Sequence, residues 1–193
     1  MSRGLITLSI IVPTVGGGYL PVLFDSVRSQ LQKQDEVIVV GDTHSGPLEK
    51  MRELVEEEGF CWLELNAGKH AWGHPQINYG IEHARGDYLV FNDDDDQFAG
   101  DALVNIRRAA RSLSEPRPLM FRFRSGRNGL LWSEQVIREG GVGGHEFVVP
   151  NIPERLGQWT DRYEGDFDFI SSTLAKWPEN SLVWREEIIA LAR

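Results

Sequence analysis

Gly86-Asp87-Tyr88-Leu89-Val90-Phe91-Asn92-Asp93-Asp94-Asp95-Asp96 decides how the rest of the chain reads. A run of apolar strand formers leads straight into four consecutive aspartates. In an open α/β sheet, ligands gather beyond the carboxyl ends of the strands. Successive side chains of a strand point to opposite faces. Continued through the acidic run, that alternation predicts Asp93 and Asp95 on one side and Asp94 and Asp96 on the other. Two carboxylates ~6–7 Å apart repel by about 2–3 kcal/mol at an effective dielectric near 20. A hydrated acidic turn tolerates that repulsion; the end of a buried strand needs a cation. Oxygen ligands of this kind suit Mg²⁺, Mn²⁺ or Ca²⁺, and the buried strand favours the cation over the hydrated turn.

Outward from this stretch the chain alternates strand and helix. Leu5–Val12 is apolar and rich in β-branched residues, as a strand buried on both faces requires. Pro13-Thr14 stops it and Gly16-Gly17-Gly18 turns the chain. Leu20, Leu23, Phe24, Val27 and Leu31 then recur at helical spacing, with Pro21 in the first turn. Glu36–Val40 is a second strand closing at Gly41-Asp42. Pro47 and Gly59 bracket a second helix, and Phe60–Leu65 is a third strand. Pro75 and Gly86 bracket a short helix that leads into the aspartate strand. Asp101 caps a further helix carrying Leu103, Ile106, Ala110 and Leu113. This βαβαβαβα order means a parallel sheet covered by helices.

Beyond residue 113 the pattern changes. Leu119–Arg124 and Leu130–Arg138 read as strands around a turn at residues 125–129, and Gly140–Gly144 as a mobile hinge or lid. Glu146–Pro150 reads as a short edge strand, and Asp168–Trp177 and Trp184–Ala192 as helices. With no internal repeat and no low-complexity linker, residues 1–193 read as a single domain. Its two regions meet near residues 113–114.

The totals narrow the class. The chain has 193 residues, a net charge of −9, 41% apolar and 25% charged residues, ordinary for a soluble globular protein. The acidic balance, without a Lys/Arg block, disfavours non-specific nucleic-acid binding. Cys61 is the sole cysteine, which excludes an internal disulfide and suggests a reducing compartment. Arg3 followed by Leu5–Val12 imitates a signal peptide, but no small-residue cleavage site follows. No stretch approaches the ~18 apolar residues of a membrane span. The expectation is a soluble, cytoplasmic protein.

Three strand ends place a polar group on one rim: Thr14, Asp42 and the Asp93/Asp95 pair. An acid at a strand end suits a ribose hydroxyl or a base imino group, and a carboxylate–cation pair suits a diphosphate. Ser9–Thr14 (SIIVPT), Val37–Asp42 (VIVVGD) and Ile77–Asp96 (INYGIEHARGDYLVFNDDDD) together resemble the nucleotide-sugar half of a GT-A glycosyltransferase of the family 2 type. The resemblance covers about residues 5–105. It implies a GT-A (Rossmann-like), mainly parallel sheet flanked by helices, with a small mixed acceptor-side region. It also implies that Pro13, Thr14 and Asp42 cradle the nucleoside of a UDP- or GDP-sugar, with Asn78 nearby and Asp94 on the same rim. Asp93 would face the ribose or the metal, and Asp95 would hold the Mn²⁺ or Mg²⁺ that bridges the diphosphate. The family's usual Arg before the Asn is Ile77 here. His70, Lys69 or His74, in the loop just before, are candidates to take over its contact.

The family's catalytic carboxylate, usually in a Glu-Asp pair, falls in Tyr163-Glu164-Gly165-Asp166-Phe167-Asp168. Gly165 interrupts the adjacency. Asp166 is the expected base, with Glu164 and Asp168 as alternatives. His145, after the glycine hinge, would complete the metal shell or touch the acceptor. The implied reaction is displacement at the anomeric carbon, with inversion, onto an acceptor hydroxyl of a glycan, small molecule, protein or modified nucleic-acid base. Trp72, Trp132 and Trp159 lie in or near loops, where an aromatic face stacks on a sugar or base or packs in the core. Arg122, Arg124 and Arg127 are either anion contacts or a solvated face.

Three other readings compete with this one. A sugar-1-phosphate nucleotidyltransferase shares the fold but needs a basic, glycine-rich phosphate loop after the first strand, and Gly16–Gly18 has no Lys or Arg beside it. A helix–loop–helix calcium site wants Gly at its sixth position and Glu at its twelfth. Counted from Asp93 these are Phe98 and Val104, so that reading fails. A catalytically inactive module that binds a sugar nucleotide differs from the enzyme only in turnover.

Overall fold

The computed structural model describes residues 4–68, 72–127 and 129–192. Its first four strands are β1 (Leu8–Thr14), β2 (Glu36–Asp42), β3 (Cys61–Leu65) and β4 (Tyr88–Phe91). They pair in parallel in the order β3-β2-β1-β4. Every residue of β1 and β4 is buried, as strands covered on both faces must be. The alternation of β1 sorts the helices. Ile10 and Val12 face a core with Leu20, Leu23, Phe24 and Val27 of α1 (Leu20–Arg28), Val55 of α2 (Glu49–Glu57), and Leu103, Ile106 and Ala110 of α4 (Ala102–Ser112). Ile11, with Leu89 and Phe91 of β4, faces Ile77 of α3 (His74–His83) and Phe169 and Ile170 of α5 (Gly165–Leu174) on the other side. The strand and helix expectations for this half hold to within a few residues. Asp101 precedes α4 without a side-chain cap hydrogen bond.

The later residues extend the same sheet with mixed directions. Among the described residues its order is β3-β2-β1-β4-β8-β6-β9-β5, with β7 also pairing β6. Here β5 is Gln97–Phe98, β6 Leu119–Ser125, β7 Gly129–Leu131, β8 Phe147–Pro150 and β9 Val183–Leu191. Several expectations for this half give way. The segment read as a helix, Trp184–Ala192, lies within and just past β9. Glu186, Glu187, Ala190 and Leu191 favour a helix, but the segment pairs in parallel with β6 and antiparallel with β5. Tertiary pairing overrides weak local propensity. Residues 146–150 do not form an edge: β8 lies between β4 and β6 and is fully buried. The expected strand over residues 130–138 ends at Leu131, and α5 starts at Gly165, three residues earlier than expected. The glycine-rich stretch is a packed wall, with Val142, Gly143 and Gly144 buried. None of the helices among the described residues is long and apolar enough to cross a membrane.

Candidate active site

β4 ends at Phe91, and the aspartates do not continue it. Asp96 N–H donates to the Asp93 carbonyl at 3.3 Å, closing a turn. Gln97 and Phe98 then pair with β9. Because β4 fixes one end of the run and β5 the other, the chain must bend between them. Residues three apart therefore converge, and Asp96 rather than Asp95 stands beside Asp93. This corrects the expected two-residue alternation: Asp95 is exposed and lies outside the group of close ligand atoms.

His145 completes that group. Its Nε2 is 2.9 Å from Asp96 Oδ2 and 3.4 Å from Asp93 Oδ2, and one ligand atom from each residue lies within 4.8 Å of the others. The imidazole stacks on Phe123, with ring centroids 5.2 Å apart and planes 21° apart. Its Nε2 is buried against the two carboxylates. Burial alone would lower its pKa; the charges of Asp93 and Asp96 against it push it up to about 10 instead. Desolvation likewise works to raise Asp93, but the charge of His145 holds it below the usual carboxylate value. Among the described residues, two carboxylates and a buried imidazole nitrogen converging on one point fit a divalent cation. Carboxylates suit Mg²⁺ and Mn²⁺, and the imidazole adds a donor that favours a transition ion.

A cavity of about 370 Å³ opens beside this cluster, with Asp93, His145, Trp159, Glu164 and Asp166 in its wall. Asp166 sits in the first turn of α5 and accepts from the Phe167 N–H at 2.6 Å. Desolvation raises its pKa, against that hydrogen bond and the nearby histidines. The two alternatives are placed differently. Glu164 also lines the cavity, 3.4 Å from Arg162. Asp168 accepts from Arg162 at 2.7 and 2.9 Å and from the Thr160 hydroxyl, and it faces a separate groove. Gly165, the interruption in the expected acidic pair, has a physical cause. A Cβ there would enter the ring of His74 and the Thr160 carbonyl. His74 is itself buried, with Nδ1 2.7 Å from that carbonyl, so the glycine lets α5 start against α3.

The other expected contacts separate into two sets. Thr14 donates its hydroxyl to Asp94 and accepts from the Gly16 N–H at 3.1 Å, so these two rim residues do meet. Burial raises the pKa of Asp94 against the Thr14 hydrogen bond. Pro13 packs at Gly73, where an added Cβ would come within 3.0 Å of it. Asp42 is buried, and its Oδ1 accepts from His44 N–H at 2.9 Å and Ala67 N–H at 3.0 Å. It therefore ties the end of β2 to the segment after β3. Asn78 is not brought to the aspartates. Its amide donates to the Trp159 carbonyl at 2.9 Å and accepts from the Trp159 N–H at 3.1 Å, and it lines the separate groove. His70 and Lys69 lie outside the described residues. Arg122 pairs with Glu186 at 2.7 Å and lies over the Trp132 ring, away from any anion-binding role.

Two site residues were missed from the sequence. Strand alternation puts Asp96 on the face opposite Asp93, whereas the three-residue spacing of a turn puts the two side by side. Glu146 is fully buried; desolvation pushes its pKa up to about 8, and its Oε1 accepts the Gly143 N–H at 2.9 Å. It pins the glycine wall to His145; with Gly rather than Ser or Thr at 143, no capping-box signature marks it in the sequence.

The profile of the family described as Glycosyl transferase family 2 matches residues 9–129. A curated relative, the amylovoran biosynthesis glycosyltransferase AmsB of Erwinia amylovora, is 30% identical over 102 residues, covering 51% of this chain and 34% of that one. Among solved structures, S. aureus TarS superposes with a TM-score of 0.78 at 16% identity, covering 97% of this chain and 36% of TarS. TarS 1–349 in complex with UDP-GlcNAc gives 0.76 at 16% identity, over 97% of this chain and 58% of that one. The M. tuberculosis glucosyl-3-phosphoglycerate synthase in complex with Mn²⁺, UDP and glucosyl-3-phosphoglycerate gives 0.69 at 13% identity, over 97% and 72%. The chain thus spans about a third of AmsB and of TarS. With its fold shared by these structures and its matched residues running from β1 to β7, this chain belongs to glycosyl transferase family 2.

Proposed function

We propose that this chain transfers a sugar from a UDP- or GDP-sugar to an acceptor hydroxyl, with inversion, using Mn²⁺ or Mg²⁺. The observation that carries the reading is that Asp166 lies in one cavity with Asp93 and His145, of the Asp93/Asp96/His145 group. Asp93, Asp96 and His145 would hold the cation. When bound, it supplies a Lewis acid that stabilises charge on the departing diphosphate. Thr14 and Asp94, joined on the rim, and Pro13 and Asp42 behind them would hold the nucleoside. Asp166 takes the proton from the acceptor hydroxyl as its oxygen bonds to the anomeric carbon. The bond from that carbon to the diphosphate oxygen breaks, and the leaving group keeps the electron pair. Attack from the face opposite the diphosphate inverts the anomeric centre. Burial helps Asp166, because a carboxylate with a raised pKa is a stronger base once ionised.

The solved complexes of TarS with UDP-GlcNAc and of glucosyl-3-phosphoglycerate synthase with UDP and Mn²⁺ make UDP the first nucleotide to test. Release of UDP from UDP-GlcNAc and UDP-glucose, with Mn²⁺ and with excess chelator, tests the reading. Cation-dependent release is expected; release unaffected by chelator, or none with any UDP- or GDP-sugar, contradicts it.

A further inference from the structure

The mouth of the cavity carries two aromatic side chains that the proposed chemistry leaves unused. Trp72 and Tyr163 are 54% and 69% exposed. Their rings meet edge to face, with centroids 5.2 Å apart and planes 80° apart, forming a corner. Tyr163 stands three residues before Asp166, and Trp72 comes from the far side, just ahead of α3. The other two tryptophans singled out in the sequence behave differently. Trp132 and Trp159 are 3% and 5% exposed and belong to the core.

The backbone holds Trp72 out deliberately. Its φ is +52°, a left-handed conformation that bulky residues rarely adopt. Gly73 follows at φ +80°, pressed against Pro13. Two consecutive left-handed residues set the indole at the cavity mouth. Strain kept at a site mouth points to a role for the side chain it displays.

Charge narrows what binds there. Among its described lining residues the cavity has three carboxylates, Asp93, Glu164 and Asp166, and no Lys or Arg; its one cationic side chain, His145, is already paired with Asp93 and Asp96. An acceptor bearing a phosphate or carboxylate would be repelled beside Asp166. A neutral, polyhydroxylated ring would not. One face of a pyranose is a sheet of C–H bonds with partial positive charge, which suits the negative face of an aromatic ring. Its hydroxyls suit Glu164 as an acceptor of hydrogen bonds.

We propose that Trp72 and Tyr163 form the acceptor subsite, and that the acceptor is a neutral saccharide whose pyranose ring packs in their corner. Packed there, it presents a hydroxyl to Asp166. This assignment rests on the transferase reading above.

The test uses protein loaded with UDP and Mg²⁺ and saturation-transfer NMR on methyl β-D-glucopyranoside and methyl β-D-galactopyranoside, with glucose 6-phosphate as the anionic counterpart. UDP affinity is measured on the same samples. Ring C–H signals of at least one methyl glycoside are expected to receive saturation in the wild type. They should lose more than half of it in Trp72→Ala and Tyr163→Ala and keep it in Trp72→Phe, with UDP affinity and thermal unfolding unchanged. Equal transfer in wild type and Trp72→Ala, no transfer to either glycoside, or a preference for glucose 6-phosphate overturns the assignment while UDP binding stands. Displacement of the glycoside by UDP-GlcNAc but not by UDP overturns it too, by giving the corner to the donor's sugar. Failure of the wild type to bind any nucleoside diphosphate overturns the transferase reading and this inference with it.

Discussion

The two halves of the sheet use different kinds of strand for different purposes. From β1 to β4 the strands run in parallel, with β1, β2 and β4 buried and polar residues clustered at their ends. From β5 onward they are short or mixed in direction, and the loops between them supply side chains that reach back over those tips. Thr14, Asp42, Asp93 and Asp96 come from the first half; His145, Glu146, Tyr163 and Asp166 come from the second. The seam between the halves is hydrogen-bonded rather than merely packed. Asn78 of α3 grips the Trp159 main chain at both ends of its amide, and His74 holds the Thr160 carbonyl. The lesson is a division of labour. In the proposed reaction a parallel platform would hold the phosphate end of a donor, and a second set of loops would bring the base and the acceptor wall to it.

If that division is right, substitutions in the two halves should fail in different ways. The largest effect belongs to Asp166→Asn, which removes the base and leaves the platform untouched. Turnover should fall by about 10²–10⁴, with UDP affinity within twofold of wild type. Loss of donor affinity instead would place Asp166 in the donor site, and near-normal turnover would move the base to Glu164. The same residue sets a pH signature. Burial raises its folded pKa above the unfolded value, so its contribution to stability is present below the ordinary aspartate range and is lost as pH rises through the raised pKa. Activity runs the other way, since only the ionised base works. The acid limb of turnover should therefore lie above the ordinary aspartate range, and an acid limb near pH 4 would contradict the burial argument.

Asp35→Ala probes the platform alone. Asp35 pairs with Arg107 of α4 in full burial and also accepts the Leu8 N–H at 3.0 Å. Removing it strands a buried guanidinium, which should cost about 3–5 kcal/mol of stability, read by denaturant unfolding. The KM for donor, measured where the variant is still folded, should not change. A loss below ~1 kcal/mol would show that the pair does not hold the platform together.

Gly165→Ala strikes the seam and should impair both properties modestly. Its Cβ has to displace His74 or the Thr160 carbonyl, at about 1–3 kcal/mol, and the start of α5 moves with Asp166 on it. Turnover should drop together with stability. Wild-type values for both would mean that the close approach of α3 and α5 positions nothing.

The contrast also explains what the sequence disclosed. The apolar runs of β1, β2 and β4, and the Pro and Gly punctuation of the helices between them, are local signals. Parallel strands buried on both faces leave little else for such residues to do. The second half is assembled by pairing between distant segments. β9 carries glutamates and alanine that favour a helix, and only its place beside β6 makes it a strand. β8 is four residues long, and nothing local says that it fills the centre of the sheet. In the candidate site, residue type and order point to Asp93, His145 and Asp166, which the fold brings to one cavity, whereas the place of Asp96 beside Asp93 is not legible. That place depends on the pairing of β5 with β9, which bends the acidic run into a turn. Glu146 stayed hidden because a buried glutamate has no signature in composition or periodicity.

Calorimetry of UDP binding with Mn²⁺ to Asp96→Ala and Asp95→Ala, side by side with wild type, tests the central claim most directly. The Asp93/Asp96/His145 cluster predicts that Asp96→Ala loses about 10- to 100-fold or more of the Mn²⁺-dependent affinity and that Asp95→Ala loses little. Full loss in Asp95→Ala with Asp96→Ala intact, or UDP binding indifferent to Mn²⁺ in the wild type, would contradict it.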